Sequence, residues 1–410
     1  MIDINKVELS EKDQNILNVL NVILKSLEVL PNDIAQQTGL SASTVSRVLT
    51  VLKKKKMIIS VGKETTDKGR RPGLLSFNKK FGQLVHIDVM HDGIAGYIAN
   101  INGEVIDSER IVFEKDQLIL ELLLESIGSV YNILKERRKS KKSRILAAGF
   151  SVPGLVNEEK RLIQRIPDVF PFSDINVYDY AEQALKVPVV INNASRLGVV
   201  GQQIGSYPQC KNLVYINIIN SIGIGAGILV NGKLLKGANY LAGEIGDMYF
   251  DRNNFSRDPG NSTGQLEEYA GIKSLFRRLT QCMENGGACA LKSIMEQESI
   301  ERLNLKLIER AIELGDRDVH EIYLDVLKVW SIVIINIYLL INPDYVIIGG
   351  AVTPEHTKTI EMINNLVSHA LYFKPEIRVN ALGEKAQLLG GMEVLKQYVF
   401  NKILAREAIS

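Results

Sequence analysis

Cysteine is scarce in this 410-residue chain: Cys210, Cys282 and Cys289 lie scattered, with no Cys-x-x-Cys pair among them. That excludes a disulfide framework and a structural zinc held by cysteines, and it fits a reducing cytoplasm. Long apolar runs are missing too. The longest, Val329 to Ile341, is interrupted by Ser331 and Asn336 and is too short to span a bilayer. The first thirty residues begin acidic and read as an amphipathic helix, so no signal peptide is expected and no membrane is implied. With 46% hydrophobic and 23% charged residues, what remains is a cytoplasmic globular chain with room for two or three domains.

Net charge is also small, +2, but it is unevenly spread. Residues 41–80 hold eleven Lys/Arg against two acids, whereas residues 1–40 hold three against six. A basic patch confined to one small segment is the footprint of a nucleic-acid module on a neutral sensor or enzyme.

Residues 39–56 sit inside that patch. Val45, Val48, Leu49 and Leu52 fall at helical spacing on one face, and Ser43, Ser46, Arg47, Thr50 and Lys54 fall on the other. Ser41 is placed to cap the start. Ahead of it, Ile16, Leu17, Leu20, Ile23, Leu24 and Leu27 form a helical stripe over 11–28, and Asp33 to Thr38 form a short helix closed by Gly39. Three such helices are a helix-turn-helix unit, whose last helix presents Ser41, Ser43, Thr44, Ser46, Arg47 and Thr50 to base edges and its lysines to phosphates. Met57–Val61 and Pro72–Phe77 read as strands of a wing. The basic loop between them carries Arg70 and Arg71, which suit a narrow minor groove.

Beyond residue 80 the pattern turns to strands. Leu84–Val89, Ile94–Ile101 and Glu104–Val112 are followed by a helix over about 116–138 and the strands Ile145–Phe150 and Val189–Asn192. A helix from Ala194 to Gln203 comes next. Tyr215-Ile216-Asn217-Ile218 then matches His86-Ile87-Asp88-Val89 at a shift of 129 residues, which also places Gly225 on Gly96 and Asn231-Gly232 on Asn102-Gly103. The match implies a duplicated unit, two lobes with a ligand cleft between them. A helix over about 263–281, a helical stretch to about 341, the strand Val346–Gly350 and a helix over about 386–404 complete the chain.

Taken together, Gly39-Leu-Ser-x-x-Thr44-Val-Ser-Arg47, Gly69-Arg-Arg-Pro72, Pro153-Gly154, Asn192-Asn193-Ala194, the Gly223-Ile-Gly225-Ala-Gly227 turn, Ala242-Gly-Glu-Ile-Gly246 and Ile348-Gly-Gly350 resemble the ROK family of repressors and kinases. The likeness is strongest to its transcription-factor branch, that of the xylose and N-acetylglucosamine repressors. It implies an α/β protein: a winged helix-turn-helix (1–80) followed by a two-lobed, actin-like (ribonuclease-H-like) domain. The expected lobes are 81–192 plus about 386–410, and 193–385. The resemblance also implies a homodimer or higher homo-oligomer gripping a double-stranded operator.

The departures bear on function. Kinases of the family begin with Asp-x-Gly-Gly-Thr, whose glycines cradle ATP phosphates; here the stretch is Asp88-Val-Met-His91-Asp92. The position of their general-base aspartate holds Asn193, which has no carboxylate to take a proton, and Ile222 replaces a threonine hydroxyl. The family's zinc positions correspond to Asp247, Asp258, Gly260 and Gln265, a set unsuited to a tetrahedral site. No catalytic residue, metal or cofactor is therefore expected. Asn192, Asn193, Glu244, Asp247 and Glu267 match sugar-facing positions, and amides and carboxylates suit neighbouring hydroxyls. The expected function is a regulator, a repressor of carbohydrate-use genes released by a sugar-type effector. The rivals are a sugar kinase with residual activity and a ligand-independent regulator controlled by a protein partner.

Overall fold

The computed structural model describes residues 10–26, 28–61, 65–66, 69–70, 73–90, 93–113, 120–137, 143–166, 176–219, 223–250, 264–404 and 407–408. Three helices open it, α1 (Glu11–Lys25), α2 (Pro31–Thr38) and α3 (Ala42–Lys54). Their ends follow local chemistry. Ser10 caps α1 by accepting the Asp13 N–H, Pro31 starts α2 where a missing N–H costs nothing, and Ser41 accepts the Thr44 N–H at the start of α3. Gly39 closes α2 in the left-handed region at φ 71°, which a side chain would strain. The α3 stripe of Val45, Val48, Leu49 and Leu52 is buried in one core with Ile16, Leu20, Ile23 and Ile34.

The wing follows as β1 (Ile58–Val61) antiparallel to β2 (Leu74–Phe77). Where the sequence suggested only an extended loop, Thr65–Thr66 pairs with Gly69–Arg70 in a short ladder. A bridge from Val29 to Leu75 ties the wing to the helices.

The first large sheet comprises β3 (Gly82–Met90), β4 (Gly93–Asn100), β5 (Val105–Val112), β6 (Arg144–Val152) and β7 (Val189–Asn193), in the order β7-β6-β3-β4-β5. Helices α4 (Leu120–Arg137) and α5 (Val177–Leu185) cross between its strands, and α6 (Ala194–Gly205) leads on. The second sheet comprises β8 (Leu213–Ile219), β9 (Gly223–Val230), β10 (Lys233–Leu234), β11 (Tyr345–Gly350) and β12 (Ile377–Val379), in the order β10-β9-β8-β11-β12. In both, the first strand pairs antiparallel with the second and parallel with the fourth. The duplication is therefore one of topology. It carries a one-residue offset: Ile87 pairs with Gly96, but Ile216 pairs with Ala226 rather than Gly225. The second hairpin has a longer turn, with Ile219 opposite Gly223 where Met90 is opposite Gly93.

Helices α7 (Gln265–Ala270), α8 (Ile272–Glu284), α9 (Cys289–Gln297), α10 (Leu305–Glu313), α11 (Arg317–Ile341) and α12 (Thr357–Ser368) build the second lobe. The single helix expected over 263–281 is broken at Gly271, whose extended backbone caps α8. The apolar run expected to be too short for a bilayer belongs to α11, whose 25 residues are long and apolar enough to cross one. Val319, Tyr323, Leu327, Trp330 and Ile334 of α11 are buried in the second-lobe core, and the Trp330 indole N–H donates to the Ala270 carbonyl at 2.8 Å.

The last helix, α13 (Lys385–Tyr398), runs into a π-helical turn at Val399–Leu404. It packs on α6 at glycine contacts: a Cβ on Gly390 would sit 1.9 Å from the Leu197 carbonyl oxygen, and one on Gly201 1.8 Å from that of Ala386. Its far end joins the core of the helix-turn-helix, where Phe77 meets Phe400 edge to face at 6.2 Å. One rod thus touches both the cleft and the wing.

Candidate nucleic-acid interface and interlobe cleft

Burying its apolar stripe leaves α3 one free face. Ser41, Ser43, Ser46, Arg47, Thr50 and Lys54 are exposed on it, and Thr44 is half-buried at its edge. The face is loosely organised by its own side chains. Ser41 Oγ lies 2.9 Å from both Ser43 Oγ and Thr44 Oγ1, and Thr50 Oγ1 donates to the Ser46 carbonyl at 2.9 Å. Arg47, Lys53 and Lys54 have no carboxylate partner among the described residues. Their charge is available to an anion. The four lysines are not equivalent, however. Lys55 turns inward and donates to the Glu407 carbonyl at 2.6 Å, beside an Arg144–Glu407 ion pair. Arg70 has its backbone in the short wing ladder; its side chain and Arg71 lie outside the described residues, as do His91, Asp92, Ile222, Asp258 and Gly260.

Between the sheets, Asn193, Glu244, Asp247 and Glu267 come together around a small cavity of about 50 Å³. Asn192 does not line it. That residue is buried one position earlier in β7, where consecutive side chains point to opposite faces, so the expectation that it faces the ligand is corrected. Asn193 is fully engaged: its Oδ1 caps α6 by accepting the Ser195 and Arg196 N–H groups at 2.9 and 3.1 Å, and its Nδ2 donates to the Gly154 carbonyl at 2.8 Å. The expected glycine turn at 223–227 is instead the start of β9. Gly227 lets that strand lie on α6, since a Cβ there would fall 2.1 Å from the Ser195 carbonyl oxygen. Gly223, at φ 134°, leaves room for the Glu267 carboxylate.

Two arginines that sequence reasoning passed over complete the site. Arg165 lines the cavity and lies 3.8 Å from Asp247. Arg196, 1% exposed, donates to the Val156 and Tyr240 carbonyls and holds its guanidinium over the Tyr240 ring. The one signal for it was a cation in the otherwise small and apolar start of α6. Burial pushes the Glu244 carboxyl up to about 7; Arg196 and Arg165 oppose this and Asp247 adds to it. Glu244 is therefore poised to donate or accept near neutrality. Gln265, at a position where the resemblance to the family places a zinc ligand, accepts the Phe250 N–H at 2.6 Å.

A larger cavity of about 560 Å³ adjoins, at the strand ends of both sheets. It is bounded by Asp88, Tyr97, Asn217, Gly350, Asn380 and Gln387 among others.

A model described as the ROK family matches residues 84–397, and one for bacterial regulatory proteins of the crp family matches residues 31–58, from α2 into β1. The chain is similar to the xylose repressor of Bacillus subtilis (strain 168), 28% identical over 391 residues, which are 94% of this chain and 95% of that protein. It is also similar to a glucokinase of Halalkalibacterium halodurans, 24% identical over 320 residues, 76% of this chain and 94% of that enzyme. Among solved structures, a ROK family transcriptional regulator, a homologue of the E. coli MLC protein, has the same fold. It matches with a TM-score of 0.77 and 18% identity over 97% of this chain and 99% of that one. The family match spans both sheets and α13, and this chain belongs to the ROK family.

Proposed function

We propose that this chain is a cytoplasmic DNA-binding repressor of carbohydrate-use genes, modulated by a polyol effector in the interlobe cleft. The observation that carries the reading is the free α3 face: three cations without a carboxylate partner among the described residues and a row of small hydroxyls, on a helix-turn-helix whose core is continuous with α13. The length-wide similarity to xylose repressors supports the same output. Two copies would set two α3 helices into successive major grooves of a palindromic operator.

Asn193, Glu244, Asp247 and Glu267, with Arg165, supply donors and acceptors suited to neighbouring hydroxyls. At about 50 Å³ the small cavity is too tight for a monosaccharide, so effector entry requires the lobes to part. Because α13 touches both the cleft and the wing, parting them changes how the two α3 helices are presented. The effector lowers operator affinity only by as much as it prefers the open state. Phosphoryl transfer has no base in this reading: the Asn193 amide carries no carboxylate, and both of its polar atoms are already used. No cofactor is invoked.

The test is operator binding by fluorescence anisotropy in the presence of a pentose and hexose panel, run beside coupled ATP turnover. One sugar should weaken operator binding at least tenfold, with no sugar-dependent ATP consumption. Turnover, or operator binding that no sugar alters, would overturn the proposal.

A further inference from the structure

Positive charge also collects beyond the end of α3, where the winged unit meets the first lobe. A cavity of about 470 Å³ opens there, bounded by Lys55, Lys56, Lys80, Phe81, Arg144 and Glu407 among others. Four cations against one carboxylate leave three positive charges around it. The carboxylate is already engaged. Glu407 accepts from the Arg144 guanidinium at 2.6 Å, and its backbone carbonyl, a neutral acceptor, takes the Lys55 ammonium at 2.6 Å. Lys56 and Lys80 are exposed and have no carboxylate partner among the described residues. Neighbouring Lys79 differs, because its ammonium meets Glu104 at 2.7 Å.

Exposed lysines are usually just solvated, but here one side chain fixes the backbones of both. The Asn78 amide nitrogen donates to the Lys56 carbonyl at 2.8 Å, and its Oδ1 accepts the Lys80 N–H at 3.0 Å. Lys56 is held at φ 58°, a left-handed backbone that glycine adopts at less cost, yet the position carries a cation. Arg144 is oriented too, by Glu407 and by the Phe81 ring, whose centroid lies 5.3 Å from its guanidinium. Three separate segments thus present cations to one opening: the turn after α3, the residues between β2 and β3, and the start of β6. In the sequence, residues 135–144 hold seven Lys/Arg and one Glu. Residues 138–142 of that run lie outside the described residues and are not part of the site.

We infer that this junction is a phosphate site, in which Lys56 and Lys80, with Arg144 beside them, hold the DNA backbone flanking the base pairs that α3 reads. The inference rests on the DNA-binding reading above and extends the interface from the winged unit onto the first lobe. Exposed lysines hold a lone phosphate weakly, because water screens them. On DNA, each such contact releases condensed counterions and adds to those of Lys53 and Lys54, the residues just before the cavity. Backbone contacts fix register and raise affinity without reading sequence. Since Lys56 belongs to the winged unit and Arg144 to the first lobe, bound DNA spans their junction. Lobe movement then acts on operator affinity directly.

The test uses the full chain and the duplex it selects from a random library, titrated by fluorescence anisotropy over a range of KCl concentrations. The double variant Lys56→Gln/Lys80→Gln should lower the salt slope by about 2 and weaken binding about tenfold or more near 0.1 M salt. Its ranking of single-base variants of the duplex should match that of wild type. Lys80→Gln alone should lower the slope by about 1, and Lys79→Gln, whose charge is paired, should leave it unchanged. Inorganic phosphate at constant ionic strength should compete no better than sulfate. An unchanged slope in the double variant, while wild type still selects and binds its duplex, would overturn this inference alone. A wild type that binds no duplex would overturn the DNA-binding reading beneath it as well. Altered base preference in the double variant would place the lysines at bases, and saturable phosphate binding lost in that variant with the DNA slope intact would assign the site to a free anion. Either result would overturn the inference.

Discussion

Replacing Asn193 separates two jobs done by one amide. Its oxygen caps α6 and its nitrogen holds the Gly154 carbonyl, fastening the β6–β7 edge to the interlobe helix. Serine keeps a capping oxygen but cannot reach Gly154; alanine loses both. Loss of a cap costs about 0.5–2 kcal/mol, and a buried carbonyl deprived of its donor about 1–3 kcal/mol. Asn193→Ser should therefore cost about 1–3 kcal/mol and Asn193→Ala about 2–4 kcal/mol. At roughly 2–4 °C per kcal/mol for lobes of this size, Asn193→Ala should melt about 5–15 °C below wild type. Asn193→Asp keeps the cap but turns an oxygen towards the Gly154 carbonyl, so it should be no more stable than the serine variant. Although it restores a carboxylate, it should yield no ATP turnover. Thermal melting of the full chain and a coupled ATPase assay read both outcomes. An alanine variant melting within about 2 °C of wild type would refute the argument from hydrogen bonding, and sugar-dependent turnover by Asn193→Asp would refute the account of lost catalysis.

Further predictions follow from charge and packing. The raised Glu244 carboxyl favours the folded state fully below its ordinary value of 4.5, and that stability is lost as pH rises through about 7. Glu244→Gln should thus gain on wild type above pH 7, by no more than about 3 kcal/mol and nearer 1 once cavity water screens the charge; a difference constant from pH 5 to 8 would contradict this. Gly390→Ala should be severely destabilising because its Cβ strikes the Leu197 carbonyl, whereas Gly128→Ala in α4, with nothing within 4 Å, should stabilise by up to about 1 kcal/mol; melting curves rank the pair. Neutralising Lys53 and Lys54 should lower the salt slope of DNA binding by about 1 each. Lys55→Gln should leave the slope unchanged, since that ammonium already serves Glu407.

Local patterns made the output end legible in the sequence. The α3 stripe, the Ser41 cap and the Gly39 terminus each follow from residues within one or two turns of each other, and all appear as read. Repetition of the strand pattern revealed two related sheets, but not the longer second hairpin that offsets their pairing by one residue. Features set by distant partners stayed hidden. Lys55 meets Glu407 across 352 positions, so a run of four lysines looked uniform. Arg196 disappears into the core because Val156 and Tyr240 offer carbonyls from separate segments. Asn193 matched a catalytic position by order along the chain, yet its use as a cap and clamp depends on Gly154, 39 residues away.

In the proposed function, DNA is read by the exposed face of α3. Selection of bound duplexes from a random library, followed by anisotropy titrations on the recovered sequence and its single-base variants, tests it most directly. Wild type should select a palindrome, and Arg47→Ala should lose about 1–3 kcal/mol of discrimination at one base pair in each half-site while keeping its non-specific binding. Selection of no consensus, or an Arg47→Ala variant with undiminished discrimination at every position, would contradict it.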